Sequence, residues 1–94
     1  MKGAPQLSVI IPTYNRAGFL EEALQSVLNQ SYFESVPRDD WDLIVIDDGS
    51  TDSTRQCVKS FGPGVDYHFM PHSGVSAARN RGLSLAAGEF IAFL

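Results

Sequence analysis

Cysteine occurs once in this chain, at Cys57, so no intrachain disulfide is possible and a reducing compartment is the simpler setting. With no second Cys or any His close to it in sequence, Cys57 reads as an apolar filler of a helix rather than a reactive thiol. Basic residues are few as well. Lys and Arg number 7 against 11 Asp and Glu, a net charge of −4, and no basic run exists. A duplex-binding surface, which needs clustered cations to displace phosphate counterions, is thereby excluded. Arg79 with Arg81 is the nearest approach to a cluster, sufficient for one phosphate group. Long apolar runs are missing too: Leu7 to Ile11 is far too short for a signal core or a membrane span. Neither G-x-x-x-x-G-K-[ST] nor G-x-G-x-x-G occurs, which leaves a P-loop or dinucleotide fold without support.

What remains is a globular composition. Hydrophobic residues make up 44% and charged residues 19% of 94 positions, enough for the core of one small domain and too few charges for disorder.

Leu7-Ser8-Val9-Ile10-Ile11 is a β-branched apolar run closed by Pro12, a buried first strand. From Ala17 to about Leu28, Phe19, Leu20, Ala23, Leu24, Val27 and Leu28 recur at helical spacing, with Asn15 as N-cap. Ser31 to Asp40 shows no period and reads as a surface loop. Leu43-Ile44-Val45-Ile46 is apolar on both faces, as in a covered parallel strand, and stops at Asp47-Asp48-Gly49. A short helix over Asp52 to Phe61 ends at Gly62-Pro63-Gly64. Val65, Tyr67 and Phe69 alternate with Asp66 and His68, giving a half-buried third strand. Ser73 or Ser76 caps a helix running to Ala87 with Gly88 as its stop, and Glu89 to Leu94 is a fourth strand. Trp41 should pack against the sheet's end. Four strands alternating with three helices specify an α/β, three-layer sandwich with a mainly parallel sheet.

In such a sheet ligands collect beyond the carboxyl ends of the strands. The loops there read Pro12-Thr13-Tyr14-Asn15-Arg16, Asp47-Asp48-Gly49-Ser50-Thr51-Asp52 and Pro71-His72-Ser73-Gly74-Val75-Ser76. An aromatic ring to stack on a base, carboxylates to accept from a base N–H or a ribose hydroxyl, and a helix start for phosphate suit a nucleotide. Two adjacent carboxylates at a strand end exceed what helix capping requires. His68 and His72 lack a carboxylate pattern for a metal site and read as surface residues.

The succession Ser8 to Arg16, Ile44 to Asp52, Gly74 to Gly82 and Gly88 to Leu94 resembles the opening of a family-two glycosyltransferase of the GT-A (Rossmann-like) type. The resemblance spans almost the whole chain and depends on four segments in the right order. It implies a nucleoside-diphosphate sugar donor, usually a uridine one (UDP), and inverting transfer to an acceptor hydroxyl. By position it implies that Pro12 and Tyr14 frame the base and Asp48 accepts from the base N3–H. Asp47 would hold that loop or reach the ribose, and Arg79 would lie near the base or diphosphate. On this resemblance residues 1–94 are the N-terminal nucleotide-sugar-binding part of the domain. They stop before an Asp-x-Asp segment that binds a divalent metal (Mn or Mg) and before the general base, so the chain alone would not turn over. With the lone Cys57 the expected location is cytoplasmic, or the cytoplasmic face of a membrane for the full-length protein. The stretch Ser31 to Asp40 is longer than the family's usual link. Phe90 to Leu94, nearly all apolar, would favour self-association.

Rival readings compete. A phosphoacceptor receiver-like module also places paired acids beyond a parallel strand, but after the first strand rather than the second. The same chemistry would suit a non-catalytic nucleotide-binding module, whereas a structural or interaction domain that has lost ligand binding would respond to no nucleotide.

Overall fold

The computed structural model describes residues 6–29 and 40–94, so the Ser31 to Asp40 loop lies outside the described residues except for Asp40. The chain runs β1 (Leu7–Thr13), α1 (Ala17–Asn29), β2 (Trp41–Asp47), α2 (Thr54–Lys59), β3 (Asp66–Phe69), α3 (Val75–Leu85) and β4 (Phe90–Phe93). The strands pair in the order β3-β2-β1-β4, every pair parallel.

Strand alternation divides the core into two halves. Val9, Ile11, Leu43 and Val45 face one way and meet Leu20, Leu24 and Val27 of α1 and Val58 of α2, with Trp41 at the end. Ile10, Ile44 and Ile46 face the other way and meet Ala78 of α3. Each fully buried Leu, Ile or Val contributes about 1.5–3 kcal/mol relative to exposure. β1 and β2 are therefore apolar on both faces because helices cover both. The direction of strand addition reverses after β3, when the chain returns past β1 to lay down β4. A right-handed crossover in the opposite direction must use the opposite face, which is why α3, among the described helices, is the one that lies there.

Ser8 is the polar exception inside this core. Its hydroxyl donates to Asp42 Oδ2 and accepts from the Gly88 amide, each at 2.9 Å. Both sides of the hydroxyl are satisfied, so its complete burial costs little.

Several boundaries differ from the sequence expectation, each for a physical reason. β1 continues through Pro12 to Thr13. The Leu94 amide donates to Ile10 O at 3.0 Å and the Asp48 amide to Thr13 O at 2.9 Å, so even positions of β1 face β4 and odd ones face β2. The missing N–H of Pro12 thus falls on the β4 side, beyond the last pair Ile10 with Phe93, where no ladder bond is lost. Helix α3 starts at Val75 behind Gly74, with no side-chain cap from Ser73 or Ser76, and ends at Leu85 rather than Ala87. Gly88 does not stop it. A Cβ at Gly88 would lie 2.6 Å from the Ser8 backbone nitrogen, so glycine is required for close approach to β1. Phe19, counted on the apolar face of α1, is 69% exposed.

No helix among the described residues is long and apolar enough to cross a membrane.

Candidate functional site

The reversal of strand order falls between β1 and β4, and a cleft of about 540 Å³ opens beyond the carboxyl ends of the strands there. Its walls include Pro12, Tyr14, Phe19, Asp48, His72 and Val75. All three loops that follow β1, β2 and β3 contribute to it, as the general rule for open α/β sheets requires.

Asp48 is the hub. Its side chain is 5% exposed, at the end of a strand whose apolar sides are both covered. Oδ1 accepts from the Ser73 amide at 2.8 Å and Oδ2 from the Gly74 amide at 2.9 Å. His72 Nδ1 lies 3.1 Å from Oδ2 and 3.0 Å from the Asp48 carbonyl oxygen. A carboxylate oxygen and a carbonyl oxygen both accept, so Nδ1 carries the proton. The turn into α3 is thus held by the acid at the end of β2 rather than by a serine cap.

Asp47 faces away from the cleft. Its Oδ1 accepts from the Ser50 amide at 2.9 Å and its Oδ2 from the Tyr67 hydroxyl. Burial first, then the bond to Asp47, push the Tyr67 phenol above its ordinary value, so it remains a donor. Asp47 fixes the turn that follows β2.

Asn15 joins the first loop to the second instead of capping α1. Its Oδ1 accepts from the Thr51 amide at 2.7 Å, and its own amide donates to Ser50 Oγ at 2.8 Å. It adopts φ +49, a left-handed conformation that Asn tolerates better than most residues. The amide of Ala17, at the start of α1, instead donates to Asp52 Oδ2 at 3.2 Å. The Thr54 hydroxyl, followed by the Thr54 and Ala17 amides, holds the Asp52 carboxyl below its ordinary value despite some opposing desolvation. One carboxylate therefore serves the starts of both α1 and α2.

Tyr14 stacks on His72 with ring centroids 4.0 Å apart and planes 24° from parallel. His72 is exposed, as expected of a surface residue, and its imidazole forms a wall of the cleft. Arg79 is exposed on α3, its guanidinium 6.0 Å from the Phe93 ring centroid, and is not among the residues lining the cleft. It follows Val75 by four positions, on the same helix face.

Gly49 makes the His72 contact possible. It adopts φ +87, and a Cβ there would lie 2.7 Å from the His72 backbone nitrogen. Gly49→Ala meets both the steric clash and the left-handed strain, together on the order of 2–3 kcal/mol. A lowered urea midpoint and a disturbed His72 imidazole resonance are the expected results; an unchanged His72 signal would mean that the approach is not limiting.

The residues present do not form a metal centre. Among those described, no group of three or more His, Cys, Asp and Glu is placed to hold an ion, and each oxygen of Asp47 and Asp48 already faces a protein donor. Cys57 is half-buried, its Sγ 3.7 Å from Ala17 O. Desolvation first, then the charges of Glu21 and Asp52, raise its thiol pKa, which disfavours a reactive thiolate.

This geometry agrees with what the chain resembles. The sequence profile of glycosyl transferase family 2 matches residues 8–94. The chain belongs to that family. Among curated relatives it is 42% identical to a validoxylamine A glucosyltransferase of Streptomyces hygroscopicus subsp. jinggangensis, over 96% of this chain and 21% of that protein. It is 37% identical to the putative teichuronic acid biosynthesis glycosyltransferase TuaG of Bacillus subtilis, over 96% of this chain and 35% of the relative. Among solved structures, S. aureus TarS 1–349 in complex with UDP-GlcNAc superposes with a TM-score of 0.84 at 33% identity, over 95% of this chain and 26% of that one. The mannosyltransferase PcManGT from Pyrobaculum calidifontis, in complex with GDP-Man and Mn2+, gives 0.74 at 32% identity, over 96% and 27%. The family-two chain thus spans about a fifth to a third of the length of these curated relatives.

Proposed function

We propose that residues 1–94 form the N-terminal, nucleotide-binding part of a GT-A glycosyltransferase domain. The whole protein would transfer a glycosyl group from a nucleoside-diphosphate sugar, most simply a UDP-sugar, to an acceptor hydroxyl with inversion. The observation that carries this reading is the wall of the cleft. At the switch point of a family-two sheet, an exposed aromatic ring and a buried carboxylate, from adjacent strand ends, line one cleft. A nucleobase offers the two matching features, a π face and a ring N–H.

In this reading Pro12 and Tyr14 frame the base, and a second lone pair of Asp48 accepts from its N–H. Asp47 supports the pocket through the turn it holds, and Arg79 supplies the cation on the diphosphate side. When bound in the whole protein, a divalent metal would neutralise charge on the departing diphosphate. No ligand set for it exists among the described residues. The cleft alone accounts for donor binding and not for turnover. The single free thiol and the nucleotide donor fit a cytoplasmic site of action.

Amide NMR during titration with UDP, GDP and ADP, with and without manganese, tests the reading. Shifts confined to the loops after β1, β2 and β3, larger with UDP than with the purine diphosphates, are expected. No shift up to millimolar UDP would overturn the base assignment.

A further inference from the structure

Every hydrogen-bonding or stacking group assigned to the base so far comes from the loops after β1 and β2, yet the residue that links them lies after β3. His72 donates Nδ1–H to Asp48 and lays its ring on Tyr14. Its side chain remains 55% exposed while that of Asp48 is 5% exposed, and both line the cleft. The backbone has been shaped for this contact, since Gly49 leaves no room for a Cβ against His72. Nε2 has no protein partner among the described residues.

We propose that His72 is a positioning residue for the nucleotide. It holds the Tyr14 ring and the Asp48 carboxylate, which approach from different strands, at a fixed mutual distance, so that a base meets both without reorganising either. This rests on the base reading given above. An exposed tyrosine on a loop has rotamer freedom that a stacked ligand must suppress. Suppressing it in the free protein raises affinity about two- to tenfold. The Nδ1–H bond does the same for the carboxylate by fixing the loop that carries its amide donors. Neither half suffices alone: a phenyl ring in place of the imidazole would stack but could not donate, and a carboxamide could donate but not stack.

Calorimetric titration of the full-length protein with UDP separates the two contributions in His72→Phe and His72→Asn. Each variant is expected to bind UDP about five- to tenfold more weakly than the parent, because each loses one of the two contacts. In the parent, the imidazole C–H resonances should lie upfield through the Tyr14 ring current and should move when UDP binds. Amide shifts caused by either substitution without ligand should remain within the three strand-end loops. Parent-like UDP affinity in both variants would overturn the proposal and leave the base reading intact. Shifts spreading through the β1 and β2 core would overturn it as well, since they would mark His72 as scaffold. A parent that fails to bind UDP at all would remove the base reading, and this proposal with it.

Discussion

Asp48→Ala is expected to abolish detectable UDP binding and to lower stability by roughly 2–3 kcal/mol. The carboxylate is an acceptor for two backbone amides and an imidazole N–H at once, and removing it leaves those donors to find water at the rim of the cleft. A lost bond to a charged acceptor costs about 1.5–3 kcal/mol, and a stranded donor adds to that where water cannot follow. The binding loss should exceed the stability loss, because the base forfeits its own acceptor as well as the organised loop. Asp48→Asn sharpens the test. The amide keeps the shape but turns one acceptor into a donor facing either the Ser73 or the Gly74 N–H, so it should recover part of the packing and little of the binding. Parallel urea titration and UDP calorimetry would check this. Retained UDP affinity in the alanine variant would sink the role given to Asp48 while leaving its structural one standing.

The order of elements and the location of the site were legible because each depends on a local signal. Runs such as Val9-Ile10-Ile11 and Leu43-Ile44-Val45-Ile46 are apolar without alternation, the mark of a parallel strand covered on both sides. Once strands and helices alternate, the ligand end follows from topology. The strand-end loops could therefore be singled out from topology, the family resemblance picked Pro12, Tyr14 and Asp48 within them, and all three line the cleft.

The parts that were not legible are those set by contacts between loops. His72 has no local pattern to mark it; its role arises from Gly49 and Asp48 on a neighbouring strand and from Tyr14 beyond that. Asn15 and Asp52 both look like caps for the helices that follow them. Asn15 instead bonds the second loop, and Asp52 serves the start of α1 as well as that of α2, links that local propensity cannot express. The available sequence signal was the left-handed tolerance of Asn and Gly beside strand ends, which hints at loops bent to meet one another. Phe19 fits the helical period of α1's apolar face, but the period gives only direction. At the first turn of α1 that direction is already past the edge of the sheet, where the cleft begins.

The same logic of close approach applies inside the scaffold to Gly82→Ala. Gly82 lies in α3 against β1, and a Cβ there would come within 2.4 Å of Ile10 Cγ2. Ile10 is fully buried in the half-core it shares with Ile44, Ile46 and Ala78. Its β-branched side chain has few rotamers to offer. Either Ile10 leaves its rotamer or α3 moves off the sheet, and overpacking of this kind costs about 1–3 kcal/mol. That outweighs the gain of up to about 1 kcal/mol that alanine brings to a helix interior. Gly18 in α1 supplies the contrast, for nothing lies within 4 Å of its Cβ position, so Gly18→Ala should be neutral or stabilising by a few tenths of a kcal/mol. Because α3 begins at Val75 in the wall of the cleft, a helix displaced at Gly82 should also weaken UDP binding. Equal denaturation midpoints for the two glycine variants would show that α3 is not seated on β1 through Gly82.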